Sequence, residues 1–393
     1  MPAAAASARD VSLDYLRATL TVMVVAHHSS LAYTQFARFN PKDYLSSTAP
    51  VVDPARWLFL DYAENFNDVF FMSLMFFISG LFVLPSLRRS GAAAFLGHRF
   101  VRLGLPFAVG MTTLMPLAYY ASWRAAGHPE GFFDYWRLNI TVDGWPSGPL
   151  WFVWMLLLFD ALAAALFAAF PRAASSHSSA SRGFLERPPW AFGAMFLVCA
   201  LVYLPMLTIF GFGAWGPLLT KPFHFQFSRI GLYLVWFSAG AWVGSRPLDR
   251  GLLAREGVLA RHWRWALAGC FVAYNLLVYI PRDPSLIGAL SARGLGAVEA
   301  NLWVLSCVAS CFGFVALFRG AVRTRRPWMD SLARNAYGIY LVHYVFVVWA
   351  QFALLDQPLP AGVKFAATFV VALLLSWLSA RALLWIPGAR NIL

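Results

Sequence analysis

The sequence predicts an all-α protein, a polytopic transmembrane helical bundle of about ten spans. Three observations predict it. Of its 393 residues, 60% are hydrophobic and only 12% charged, with a mean hydropathy of +0.61, more apolar surface than a soluble core absorbs. The apolar residues come in repeated blocks of roughly 18 to 25, enough to cross about 30 Å of hydrocarbon at 1.5 Å per residue. The 31 basic residues are spread over short connecting stretches, so the formal charge of +13 points to a lipid bilayer and its topology rather than to nucleic acid.

Residues 1–10 are expected to form a short cytoplasmic tail, since MPAAAASAR is too short and too weakly basic for a cleaved leader. A single membrane domain is expected over 11–388, and a C-terminal tail over 389–393. The first span, roughly 12 to 33, is long enough to cross yet carries Asp14, Arg17, His27 and His28. Charge in lipid is expensive and usually functional. At about 100° per residue, Asp14, Arg17, Thr21 and His28 share one stripe, and His27 points about 100° away as the poorer candidate. The rise from Arg17 to His28 is roughly 16 Å, which sets Arg17 near one surface and His28 past the midplane.

The second span, roughly 66 to 87, is Phe-rich and stops at Arg88 and Arg89; the third, roughly 100 to 122, follows Arg99 and the fourth, roughly 148 to 170, opens on GPLW. Residues 171–189, PRAASSHSSASRGFLERPP, form a polar, Ser-rich cytoplasmic linker within the one domain, with no self-similarity across it that would mark inverted repeats. The remaining spans are read at roughly 190 to 210, 229 to 245, 265 to 281, 294 to 318, 336 to 355 and 363 to 386. An even number puts both termini on one side. With that side cytoplasmic, about 20 Lys and Arg lie inside and about 10 outside, Arg17 being within the first span. The expected location is thus a bacterial cytoplasmic (inner) membrane, multi-pass, with both termini cytoplasmic.

Cys199, Cys270, Cys307 and Cys311 all lie in apolar runs and read as small core residues. No metal site is expected, because no Cys or His pair has ligand spacing with a carboxylate companion. Asp160 in the fourth span and Glu299 in the eighth are expected to pair with an arginine or stay protonated. Trp151 is among the aromatic residues at span ends, where interfacial anchoring is the common role and stacking on a sugar ring is the alternative. Alone, Asp14 with Arg17 reads as an ion pair at the membrane boundary.

LDYLRATLTVMVVAHH resembles the opening of the integral-membrane acyltransferases of type three, in which an Arg is followed after ten residues by a His, here Arg17 and His28. The resemblance continues in order along the chain. Ser79 and Gly80 match the family's Ser-Gly pair, Arg99 and Arg102 with Pro106 its R-x-x-R and proline, GPLWF its Leu-Trp-Phe stretch at Trp151, and YGIYLVH its late segment with Tyr337, Tyr340 and His343. The resemblance implies an acyltransferase, with the glucan-modifying branch as the nearer likeness, an acyl-CoA donor inside and a carbohydrate or other hydroxyl acceptor outside. It requires no tightly bound cofactor.

The chemistry of the residues agrees. Acyl transfer to a hydroxyl needs a base for the hydroxyl proton, which His28 can supply, and cations for the donor and developing oxyanion. Arg17 and Asp14 are expected beside His28 in the catalytic group, and Arg17, Arg99 and Arg102 with Ser79 are expected to organise the donor, because guanidinium groups match phosphates. His343 is placed in the inner half of its span and, by resemblance, faces the site. Some relatives carry a further soluble hydrolase-like domain; this chain stops at Leu393, so a second transfer step is expected to need a periplasmic or membrane partner. The rival reading is a membrane transporter or flippase, whose polar stripe would pass protons or a carbohydrate-linked solute.

Overall fold

The computed structural model describes residues 10–170, 187–218 and 221–392. The expected tail over 1–10 and linker over 171–189 therefore lie largely outside the described residues. Ten long helices follow in order: α1 (Val11–Leu31), α2 (Leu58–Gly80), α3 (Ala92–Ala125), α4 (Trp151–Ala169), α5 (Pro188–Phe210), α6 (Ile230–Gly244), α7 (Trp263–Tyr279), α8 (Ala292–Ala321), α9 (Pro327–Leu354) and α10 (Ala361–Leu383). Among the described residues, eight helices are long and apolar enough to cross a membrane. Of the other two, α6 is apolar but only 15 residues long, and the polar stripe of α1 lowers its hydropathy.

Two boundaries move. α2 starts at Leu58 rather than near residue 66, because Asp61 and Glu64, which look like loop residues in sequence, continue the helix, with Glu64 facing His27 at 3.6 Å inside the bundle. α9 starts at Pro327 rather than near residue 336, where proline at the first helical turn loses no hydrogen bond. His343 consequently lies past the midpoint of a 28-residue helix that begins well before the expected span.

α1 is central, packing against α2, α8, α9 and α10, while α2 also packs on α6 and α8. The α2–α6 crossing is close because it is lined by glycines. A Cβ at Gly80 would lie 2.2 Å from the Phe237 carbonyl oxygen, one at Gly240 2.1 Å from that of Phe77, and one at Gly244 1.9 Å from that of Leu81. Small residues permit this approach where lipid supplies no hydrophobic drive between helices. A short antiparallel hairpin, Trp215–Pro217 with His224–Gln226, joins α5 to α6 and pairs Gly216 with Phe225. The Trp154 indole holds it by donating to the His224 carbonyl at 3.1 Å.

α3 stays continuous through two prolines by opening into wide π turns at Phe100–Gly104 and Gly110–Leu114. A proline nitrogen cannot donate to the carbonyl four residues back, and its ring crowds that oxygen. The oxygens freed by Pro106 and Pro116 are those of Arg102 and Thr112. Tyr337 donates its hydroxyl to the first at 2.5 Å, and Trp136 its indole N–H to the second at 2.8 Å. A helix that would otherwise carry orphaned acceptors is thereby tied to α9 and to the segment after α3.

Candidate active site

α1 brings His28 against α9. Both rings owe their tautomer to backbone carbonyls, which can only accept. His28 Nδ1 lies 2.9 Å from the Val24 carbonyl oxygen and His343 Nδ1 2.6 Å from that of Tyr340, so each Nδ1 carries the proton. His343 Nε2 is then a lone pair, and it faces His28 Nδ1–H at 3.3 Å. The His28 proton is thus shared between Val24 and His343, and His28 Nε2 is left as a base. Of the three histidines gathered here, His343 is fully buried and His27 is 8% exposed, while His28 keeps more of its surface accessible. Tyr344 packs edge-on against His28 at 5.1 Å, and Gln351 donates to the His28 carbonyl at 2.9 Å, fixing the last turn of α1.

The GPLW segment forms the adjoining wall. Gly148 adopts φ +46°, and a Cβ there would meet the Met115 sulfur at 2.8 Å and the Tyr344 ring at 3.2 Å, so only glycine fits both the backbone and the space. The Tyr340 hydroxyl donates to the Pro149 carbonyl. Trp151 stacks on Tyr233 at 5.5 Å and meets Trp215 edge-on at 5.7 Å. Two stretches far apart in sequence, GPLW and YGIYLVH, therefore build one wall beside His28.

Arg17 stays near one end of α1, 44% exposed and bridged to Asp14 at 3.1 Å. With Tyr15 they line a cleft of about 210 Å³ closed by Arg325, Asp330 and Arg334. Arg102 contributes its backbone oxygen to the neighbouring Tyr337. Ser79 spends its hydroxyl on the Met75 carbonyl of its own helix at 2.8 Å, beside the Gly80 crossing. Arg99 turns its Nε to Asp160 at 3.2 Å and lies over the Phe95 ring at 5.1 Å. Asp160 is fully buried, and its two oxygens have no aligned hydrogen-bond donor among the described residues, so Arg99 compensates its charge through proximity alone. Glu299 stands exposed on α8 and is not brought to these residues.

One cluster escaped the sequence reading. Arg229, 2% exposed just before α6, grips Asp68 of α2 bidentately at 2.8 and 2.6 Å, with its guanidinium 4.8 Å from the Phe212 ring centre and 5.0 Å from that of Trp303. Glu64, one turn earlier, reaches His27 Nε2 at 3.6 Å, and His27 packs perpendicular to His28 at 5.1 Å. The signal was present as a stripe: Asp61, Glu64, Asn65 and Asp68 recur at helical spacing ahead of the apolar run.

The fold and these pairings define a multi-pass membrane protein with a histidine pair held inside the bundle and an arginine-lined cleft at one end. Residues 10–381 match the profile of a family described as an acyltransferase domain. The chain belongs to that family and is an acyltransferase. No curated protein and no solved structure gives a significant match.

Proposed function

We propose that the protein is an O-acyltransferase that moves an acetyl- or succinyl-class group from acyl-CoA to a hydroxyl of a cell-envelope carbohydrate such as a glucan, in a bacterial cytoplasmic membrane with both termini in the cytoplasm. His28 Nε2 takes the proton of the acceptor hydroxyl as its oxygen attacks the thioester carbonyl. The new C–O bond forms, the C–S bond breaks, and the imidazolium returns the proton to the leaving thiolate. His343 Nε2 accepts from His28 Nδ1–H throughout and strengthens that bond when His28 is cationic. His27 with Glu64 and the Asp68–Arg229 pair hold the other side of the ring.

The observation that carries this reading is the His28 tautomer set by Val24 and His343, which leaves a lone pair on the most accessible histidine of the three. The donor at the Arg17 end follows from the roughly 16 Å rise to His28 and from the arginines gathered there. The test is transfer of label from a panel of radiolabelled acyl-CoA donors into envelope glycans. Wild type and His28→Ala are compared at matched membrane levels. General-base loss predicts a fall of about 10²- to 10⁴-fold. Equal labelling removes His28 from the chemistry.

A further inference from the structure

We propose that the cleft between α1 and α9 is the anion subsite for the phosphate-bearing nucleotide end of the donor, with Arg334 as its principal contact and Arg325 and Arg17 as the second and third. The inference rests on the acyl-CoA reading above and relocates the phosphate site. Of the two arginines of α3 expected to bind the donor, Arg99 and Arg102, Arg99 turns instead to the buried Asp160.

The cleft holds three arginines and two aspartates. Asp14 compensates Arg17 at 3.1 Å and Asp330 compensates Arg325 at 3.4 Å. Arg334 gives only its Nε, to the Asp330 backbone carbonyl at 3.3 Å, and its two terminal nitrogens have no partner among the described residues. An uncompensated guanidinium fork in a polar recess matches the geometry of a phosphate oxygen pair. The wall opposite is rigid. Tyr15, 3% exposed, hydrogen-bonds Asp330 through its hydroxyl at 2.9 Å and accepts from the Arg326 N–H at 2.6 Å, so Asp330 is held in place beside Arg325 and Arg334.

Position supports the same occupant. Arg334 lies one helical turn before Tyr337, which anchors Arg102 of α3, and two further turns before His343. The cleft thus opens onto the base of the α1–α9 seam that ends at His28. A ligand with phosphates at one end and a reactive thioester at the other spans that seam in one orientation only. A bilayer lipid also carries phosphate, and the experiment separates the two.

The full-length protein is placed in nanodiscs of uncharged phosphatidylcholine, and coenzyme A binding is measured by calorimetry for wild type, Arg334→Gln and the Arg325→Gln/Arg334→Gln pair. Dephospho-coenzyme A and phosphatidylglycerol vesicles serve as comparison ligands. Loss of one charge-assisted fork predicts about tenfold weaker coenzyme A binding for Arg334→Gln. The donor KM should rise by a similar factor, and the double variant should weaken binding further and flatten its salt dependence. Thermal unfolding checks that the exposed substitutions leave the fold intact. Tight binding that both variants retain overturns the cleft and leaves the acyl-CoA reading standing. Wild type that neither binds coenzyme A nor transfers from its thioesters overturns both. Arg334-dependent binding of phosphatidylglycerol with unchanged coenzyme A binding assigns the cleft to a lipid headgroup and overturns the proposal.

Discussion

Replacing His343 with Phe keeps an aromatic ring in a fully buried position and removes the acceptor that faces His28 Nδ1–H at 3.3 Å. In the resting enzyme this is a neutral contact shared with Val24, worth about 1 kcal/mol or less; once His28 is protonated it becomes charge-assisted, worth about 1.5–3 kcal/mol. Only the difference acts on the chemical step, because an interaction equal in ground and transition states leaves kcat unchanged. That difference is about 1–2 kcal/mol, or a fall in kcat of about 5- to 30-fold. The assay is single-turnover acyl transfer in proteoliposomes at saturating donor, with KM measured alongside. Full kcat in a correctly folded His343→Phe variant would refute the pairing. A change confined to KM would move His343 from the chemistry to binding.

Other expectations concern stability and packing. Lys364 and Asp53 form a buried pair at 2.6 Å, 2% and 1% exposed; Lys364→Met strands Asp53 and should cost about 3–5 kcal/mol in thermal unfolding, with Asp53→Leu added to it restoring most of the loss. Gly240→Ala must push α2 from α6 at a 2.1 Å contact, about 1–3 kcal/mol of overpacking seen as lost monodisperse protein, whereas Gly97→Ala, with nothing within 4 Å, should be silent. At Asp10, burial opposes ionisation, but hydrogen bonds from Ser12 and Arg319 and the Arg319 charge prevail and hold the carboxyl well below the usual carboxylate range. A depressed carboxyl contributes its full stability above its unfolded value near 3.9 and loses it as pH falls further. Asp10→Asn should therefore be less stable than wild type at pH 6, with the gap closing only below about pH 4; closure by pH 5 would contradict the pairing.

The helical bundle was legible because apolar blocks longer than any soluble helix need be have few other uses, and each of the ten expected spans falls on a helix. The α2 boundary was misread because hydropathy scores Asp61 and Glu64 as if isolated, whereas the ring that faces Glu64 comes from α1. The Arg17 to His28 spacing was readable from helical phase alone. The tautomer of His28 was not, since it depends on a ring delivered by α9. Arg99 and Asp160 were both recognised, but their meeting depends on how α3 and α4 pack. The proline-freed oxygens of α3 explain in physical terms why a late tyrosine accompanies an early R-x-x-R and proline: one supplies the donor the other lost.

The long-range pairings also set a timetable for biogenesis. Asp68 leaves the ribosome 161 residues before Arg229, and Asp10 309 residues before Arg319. At about 5–20 residues per second these delays are roughly 10–30 s and 15–60 s. For that interval α2 must be inserted with a carboxylate whose cation does not yet exist, either protonated or held at the water boundary. Asp53 waits longer still for Lys364, 311 residues on. The α2 lock therefore engages when α6 arrives, while the partners of Asp10, His28 and Asp53 come only with α8, α9 and α10. A ribosome stalled before α8 would leave a chain that has His28 but not the ring of His343 that faces it.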